Sequence, residues 1–172
     1  NMAALEKVQP KDLSASEIDV RLGATWLPPE DIEQFVHELL STAYYIRNRI
    51  KVHYSPITAA WNIENKNADY NNVAAGVTYG TNRINAYKII EETLNLKDVR
   101  IFDTVTDENG NEVRVLNKKD TLLAQQKQQA IKDAFRDWIW KDPDRRDRLT
   151  TLYNTKFNSI RPVYYTHLRA HE

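Results

Sequence analysis

Val99-Arg100-Ile101-Phe102-Asp103-Thr104-Val105-Thr106-Asp107-Glu108-Asn109-Gly110-Asn111-Glu112-Val113-Arg114-Val115-Leu116 decides the fold class. β-branched and aromatic residues run on either side of a polar centre, and Asn109-Gly110 is a strong hairpin-turn signal. Working backwards, Ile50-Lys51-Val52-His53-Tyr54 and Trp61-Asn62-Ile63-Glu64 alternate around Ser55-Pro56, which predicts another hairpin. The residues outside these pairs change to helical periodicity. Pro28-Pro29-Glu30-Asp31 opens a helix whose stripe is Ile32, Phe35, Val36, Leu39 and Leu40. Ser14-Ala15-Ser16-Glu17 is a capping box that predicts a short helix with Ala15, Ile18 and Leu22 on one face and Gly23 as its stop. Thr81 or Asn82 is expected to cap a helix with Ile84, Tyr87, Ile90 and Leu94 inward, after a polar loop from Asn65 to Asn72.

Beyond the deciding stretch, residues 117–140 read as a long helix with Leu123, Ile131, Ala134, Phe135, Trp138 and Ile139 inward. Trp138 and Trp140 are two apart, so they cannot share a face, and Trp140 must find another surface. Pro143 opens a last helix with Leu149, Leu152, Tyr153 and Phe157 as its buried side. The expected architecture is α+β, with helices packed on small antiparallel hairpins and a helical C-terminal part. The organisation follows as a body with two hairpins over 1–116 and a basic helical pair over 117–162.

The chain has 172 residues, 41% hydrophobic and 28% charged, enough for one domain with a real core. It holds no cysteine, which excludes disulfides and thiolate metal sites. With no apolar run of membrane-spanning length and no signal-type segment, the expected compartment is the cytoplasm. A net charge of zero hides an asymmetry: residues 1–113 carry 11 Lys/Arg against 17 Asp/Glu, and residues 114–164 carry 12 against 6. A basic end can meet a polyanion, and long helices also carry such residues simply on their wet face.

The candidate DNA contacts are Lys118, Lys119, Lys127, Lys132, Arg136, Arg145, Arg146, Arg148, Lys156 and Arg161. Long cationic side chains suit phosphate contact, but Asp142, Asp144 and Asp147 interleave with the arginines and fit helix-face ion pairs equally well. Arg83 joins the candidates because Thr78-Tyr79-Gly80-Thr81-Asn82-Arg83 places a glycine before an expected helix start, where a phosphate can be received. A plain strand-to-helix turn with a solvated arginine fits that string too. A phosphate-gripping Gly-Lys-Ser/Thr loop is missing from the sequence. His37 and His53 lack ligand-spaced partners and read as structural. Asp107, Asn109 and Asn111 mimic a calcium loop, but with glycine at the wrong position, and ordinary turn chemistry explains them better.

The final residues, Tyr165-Thr166-His167-Leu168-Arg169-Ala170-His171-Glu172, resemble a transposase-type sequencing adaptor translated in one frame. Residues 163–172 are therefore expected to be an assembly scar, and His167 and His171 are not weighed as a metal pair.

Several strings together resemble one family, the helicase/DNA-methylase fusion proteins of phages and integrative mobile elements. They are Leu13-Ser14-Ala15-Ser16-Glu17-Ile18, Arg21-Leu22-Gly23-Ala24-Thr25-Trp26, Val52-His53-Tyr54-Ser55-Pro56 and Trp61-Asn62-Ile63-Glu64. Thr78-Tyr79-Gly80-Thr81, Leu116-Asn117-Lys118-Lys119, Tyr153-Asn154 and Phe157-Asn158-Ser159-Ile160-Arg161-Pro162 continue the series. The resemblance implies a connector between an adenine-specific methyltransferase upstream and a Swi/Snf-like helicase downstream, in contact with those neighbouring domains and with DNA. It implies ATP, Mg and S-adenosylmethionine for the parent protein and no cofactor in this stretch. None of the matching strings is a catalytic motif, so no catalytic residue is carried over. A purely structural bracket that packs on the helicase core, without DNA contact, is the alternative.

Overall fold

A computed structural model describes residues 11–158. The fold is α+β, with two antiparallel hairpins, helices against them and a helical C-terminal part. The chain divides into a larger unit, Arg21–Arg136, and a smaller one that pairs the N-terminal residues to Val20 with those from Asp137 onward.

The larger unit begins with α1 (Pro29–Leu39), whose first turn carries Glu30 and Asp31 behind Pro28. Ile32, Phe35, Val36 and Leu40 are buried as expected. A single turn, α2 (Tyr44–Arg47), leads into β1 (Val52–Ser55), which pairs with β2 (Ala60–Ile63) in the register Val52 to Ile63 and Ser55 to Ala60. A two-stranded ribbon leaves main-chain groups open along both edges. Side chains from the helices close them. Glu33 of α1 accepts from Val52 N at 3.0 Å. Glu91 and Asn95, from α3 (Ala86–Leu94) and its C-terminal cap, accept from Ile63 N and Trp61 N at 2.9 and 2.8 Å.

Helix α3 starts later than the sequence predicts. Its cap is Asn85, whose side chain accepts from Lys88 N, so Ile84 lies ahead of the helix while Tyr87, Ile90 and Leu94 point inward. Thr81 instead folds its hydroxyl onto the amides of Arg83 and Ile84. Gly80 is required there by contact: a Cβ would stand 2.1 Å from the Ala75 carbonyl oxygen.

Strands β3 (Phe102–Thr106) and β4 (Glu112–Leu116) form the second hairpin around Asp107. Gly110 N bonds back to Asp107 O at 3.1 Å, and Gly110 takes φ +79°, which suits a glycine closing a turn. Pairing begins only at Phe102 because Val99 and Ile101 give their main-chain groups to the next helix. That helix is α4 (Lys118–Ile139). Gln128 accepts from Val99 N at 3.1 Å, and Thr121 both accepts from Ile101 N and donates to Ile101 O. The face thus placed inward holds Thr121, Ala124, Gln128, Ile131 and Phe135. Leu123, expected inward, is 43% exposed. Phe135 meets Phe35 edge to face at 5.0 Å. Most of α4 therefore belongs to the larger unit, so the division falls inside the helix and not ahead of it.

The smaller unit contains the capping box, which is formed but caps only a 3-10 turn, Ala15–Glu17. Ile18 is already extended, so the predicted helix face does not exist. The last turn of α4, then α5 (Pro143–Tyr153) and a π turn (Asn154–Asn158), complete it. Asn154 exchanges bonds with the main chain of Leu13 at 2.8 and 2.9 Å, closing the unit on itself. Leu149 is buried, Leu152 and Tyr153 are intermediate, and Phe157, expected inward, is 51% exposed.

Candidate nucleic-acid interface

The candidate cations separate into those spent on the fold and those left outward. Arg83 belongs to the first group. Its guanidinium bonds Asp103 and Asp120 at 2.8 Å each and Phe102 O at 2.9 Å, tying its loop to β3 and to the first turn of α4. The hydrogen bond to Asp103 leads the causes that raise the Arg83 pKa, and the same bond holds the Asp103 carboxyl below the usual range. The expected phosphate receiver is thus a surface brace already bonded to two carboxylates, and it sits ahead of α3, not in its first turn.

Arg145 is corrected in the same way. It is 6% exposed, and its Nε donates to Ile139 O at 3.1 Å and its Nη2 to Trp138 O at 2.5 Å. Its guanidinium also lies 3.5 Å over the Trp138 ring. These carbonyls are among those a helix end leaves without intrahelical partners, and a cation there also complements the helix dipole. Arg146 does related work more weakly, donating to Trp140 O at 3.3 Å. Asp142, read as an ion-pair partner, is the N-cap of α5 and accepts from Arg145 N at 2.9 Å. Arg148 and Lys156 are exposed. Arg161, and the run from 163 to 172, lie outside the described residues.

The outward group is carried by α4. Asn117 caps its start by accepting from Asp120 N at 2.9 Å, and the buried stripe fixes which side faces water. Lys118 and Lys119 are exposed and Lys132 is half-buried, and none of the three has a carboxylate partner among the described residues. Arg136 pairs with Asp133 at 3.8 Å, its one carboxylate partner among the described residues, a long and solvated pair worth little. Lys127 donates to Thr78 O at 3.2 Å across the flank of the helix. The side chains do not converge on one point. They line a length of helix, which fits an extended polyanion better than a small ligand.

Elsewhere in the larger unit, a groove of about 550 Å³ runs past Lys88, Glu92, Lys97, Asp98, Arg100 and Phe102. Lys88 is bonded to Glu91 and Glu92 at 3.1 Å each, so the lining is mixed in sign. The two histidines have structural partners. His37 Nε2 must carry its proton, since it bonds Ile50 O at 3.0 Å and a carbonyl only accepts. His53 pairs with Glu64 at 2.9 Å on the surface. Asp107 Oδ1 accepts from Asn109 N and Asn111 N, which is turn chemistry. Sequence reasoning passed over Tyr44, Tyr45 and Tyr70, which are 85%, 68% and 84% exposed. Their place outside any apolar period was the available signal.

Fold and charge together define a small α+β module whose long helix presents lysines without carboxylate partners among the described residues. The chain belongs to the family described as Domain of unknown function (DUF8437), whose model matches residues 21–159. No curated protein and no solved structure matches it. No helix among the described residues is long and apolar enough to cross a membrane.

Proposed function

We propose that this chain is the non-catalytic connector of a cytoplasmic DNA-processing protein. It joins an adenine-specific methyltransferase to an ATP-dependent helicase and touches duplex DNA through α4. The neighbouring domains supply the sites for S-adenosylmethionine, ATP and Mg. The observation that carries the DNA contact is that Lys118, Lys119 and Lys132 of α4 reach the surface and have no carboxylate partners among the described residues. Cations already paired gain little from a phosphate; unpaired ones release counterions when they meet one. The connector role itself rests on the resemblance in order and spacing of the strings quoted above.

The test is fluorescence anisotropy of a labelled duplex titrated with the chain across a salt series. Binding is expected to be weak, indifferent to sequence and steeply salt-dependent. Reversing Lys118, Lys119 and Lys132 to glutamate is expected to abolish it, and single reversals to lower the salt slope by about one each. Duplex binding that is unmeasurable at low salt, or unaltered by the triple reversal, would overturn the contact.

One observation favours the bracket reading. Leu122 and Leu123 are 60% and 43% exposed on α4, and Trp140 is only half-buried. Apolar side chains set outward suit a packing partner. A bracket would lose assembly with the helicase domain on Leu122→Asp and lose nothing on lysine reversal.

A further inference from the structure

The larger unit carries a second surface, remote in sequence from α4, where residues 65–72 lie alongside residues 40–49. Three ties hold the two segments together. Asn72 Nδ2 donates to Leu40 O at 2.6 Å, and Asn65 Nδ2 donates to Arg49 O at 2.6 Å. Between them the Tyr87 hydroxyl donates to Asp69 at 2.7 Å and meets the Thr42 hydroxyl at 2.8 Å. A carboxylate cannot donate, so Thr42 is the donor to Tyr87. The ties run through Asp69 and Asn72, which flank the exposed Tyr70 in the chain, and through Leu40 and Thr42, which shortly precede the exposed Tyr44 and Tyr45. Tyr44 and Tyr70 leave 85% and 84% of themselves in water, and Tyr45 leaves 68%. Tyr44 and Tyr45 stand edge to face with centroids 5.7 Å apart.

Single exposed aromatics are ordinary; a group of them beside uncompensated cations is not. Arg47 and Arg49 are both exposed and have no ion pair among the described residues. Arg47 spends only its Nε, on Thr42 O at 2.8 Å. The neighbouring carboxylates are occupied: Asp69 by Tyr87 and Asn72, Glu64 by His53. Asp69 and Glu64 keep their negative charge under those bonds, so what the surface offers a phosphate is the two guanidinium groups themselves, neither held by a carboxylate among the described residues. Rings with open faces next to guanidinium groups are what an unpaired strand needs, because every base has a face to stack and every nucleotide a phosphate to neutralise. A duplex, with its bases already stacked, has no use for the rings.

We propose that Tyr44, Tyr45 and Tyr70, with Arg47 and Arg49, form a platform for single-stranded DNA, the bases stacking on the tyrosines and the phosphates meeting the arginines. That the strand is DNA rests on the DNA-processing reading above; the stacking chemistry does not. The experiment titrates the full chain against a labelled oligothymidylate, with an oligouridylate and a duplex in parallel. Oligothymidylate is expected to bind more tightly than the duplex. Tyr44→Ala and Tyr70→Ala should each weaken it about tenfold and leave duplex binding as it was. Both rings lie outside the core, so the urea midpoint of each variant should match the wild type, which controls for misfolding. Charge reversal at Lys118, Lys119 and Lys132 should do the opposite, removing the duplex and sparing the single strand. Oligothymidylate binding that is absent, or that survives both tyrosine substitutions together, overturns the platform. Preference for oligouridylate overturns the assignment to DNA. A surface that takes neither strand is a protein interface, and the proposal fails. Tyrosine-dependent binding of the single strand without duplex binding would sink the α4 contact and leave the platform standing.

Discussion

A guanidinium that is only 6% exposed must have its donors met, and Arg145 meets them with the carbonyls of Ile139 and Trp138 and the face of the Trp138 ring. Truncation would leave those carbonyls unpaired at the end of a helix and remove the stacked plane. Arg145→Ala is therefore expected to lower the unfolding free energy by about 3 kcal/mol, read by urea denaturation. Arg145→Lys should recover little, because an ammonium cannot fork between two carbonyls and stack at once. The duplex salt slope should be unchanged in both variants. If either variant instead lowers the slope while leaving the urea midpoint in place, Arg145 is a phosphate contact after all. At this scale the sequence misleads in an instructive way: Arg145, Arg146 and Arg148 look alike in a basic run. Only the three-dimensional path of the chain tells which of them turns back to a helix end.

Elements differ in how openly they announce themselves. Both hairpins were legible because alternation and turn residues are local: Asn109-Gly110 closes a turn whatever surrounds it. Helix starts at Pro29 and Pro143 were legible for the same reason. The capping box at Ser14 formed and still gave almost no helix, since a cap stabilises a helix only where a packed face prolongs it. Helix α4 shows a different failure. Its inward face includes Thr121 and Gln128, polar residues drawn in to satisfy Ile101, Val99 and Lys97, so apolar periodicity reads the phase wrongly near the start. Apolar periodicity places Leu123 inward, yet it is 43% exposed, whereas Ile131 is fully buried. Ile131→Ala should cost about 3 kcal/mol and Leu123→Ala less than about 1 kcal/mol. Equal costs for the two would show that the helix sits in another phase. The candidate site was legible as composition: the lysines of α4 could be named, but which cations remained unpaired depended on contacts such as Asp103 and Asp120 to Arg83, distant in sequence.

For the whole molecule, a net charge of zero gives no general attraction to DNA, so any affinity must come from local surfaces. Among the described residues, the groups with shifted titration lie in the larger unit, and three buried or part-buried ones illustrate the response to pH. Burial lowers the pKa of His37 below its ordinary 6.5, outweighing the bond to Ile50 O. Between those two values the unfolded chain holds more protons, so this contribution is complete above pH 6.5 and shrinks as pH falls below it. Burial works against the Glu91 carboxylate too, but bonds from Ile63 N, Lys66 and Lys88 win and lower its pKa from 4.5. Its contribution is present above pH 4.5 and is lost as pH falls through the folded value. Tyr87 acts from the other side. Burial, with Asp69 beside it, raises the phenol above its ordinary 10.0, so stability is complete below pH 10.0 and is lost as pH rises beyond it. Urea midpoints measured across pH should therefore form a plateau between 6.5 and 10.0 with a loss on each side. Glu91→Gln should lower the plateau by about 2 kcal/mol and flatten the fall below pH 4.5. Tyr87→Phe should flatten the alkaline fall alone. An acid limb that Glu91→Gln leaves as steep as before would mean that other carboxylates carry it, and that the ties of β2 to α3 are worth less than their geometry suggests.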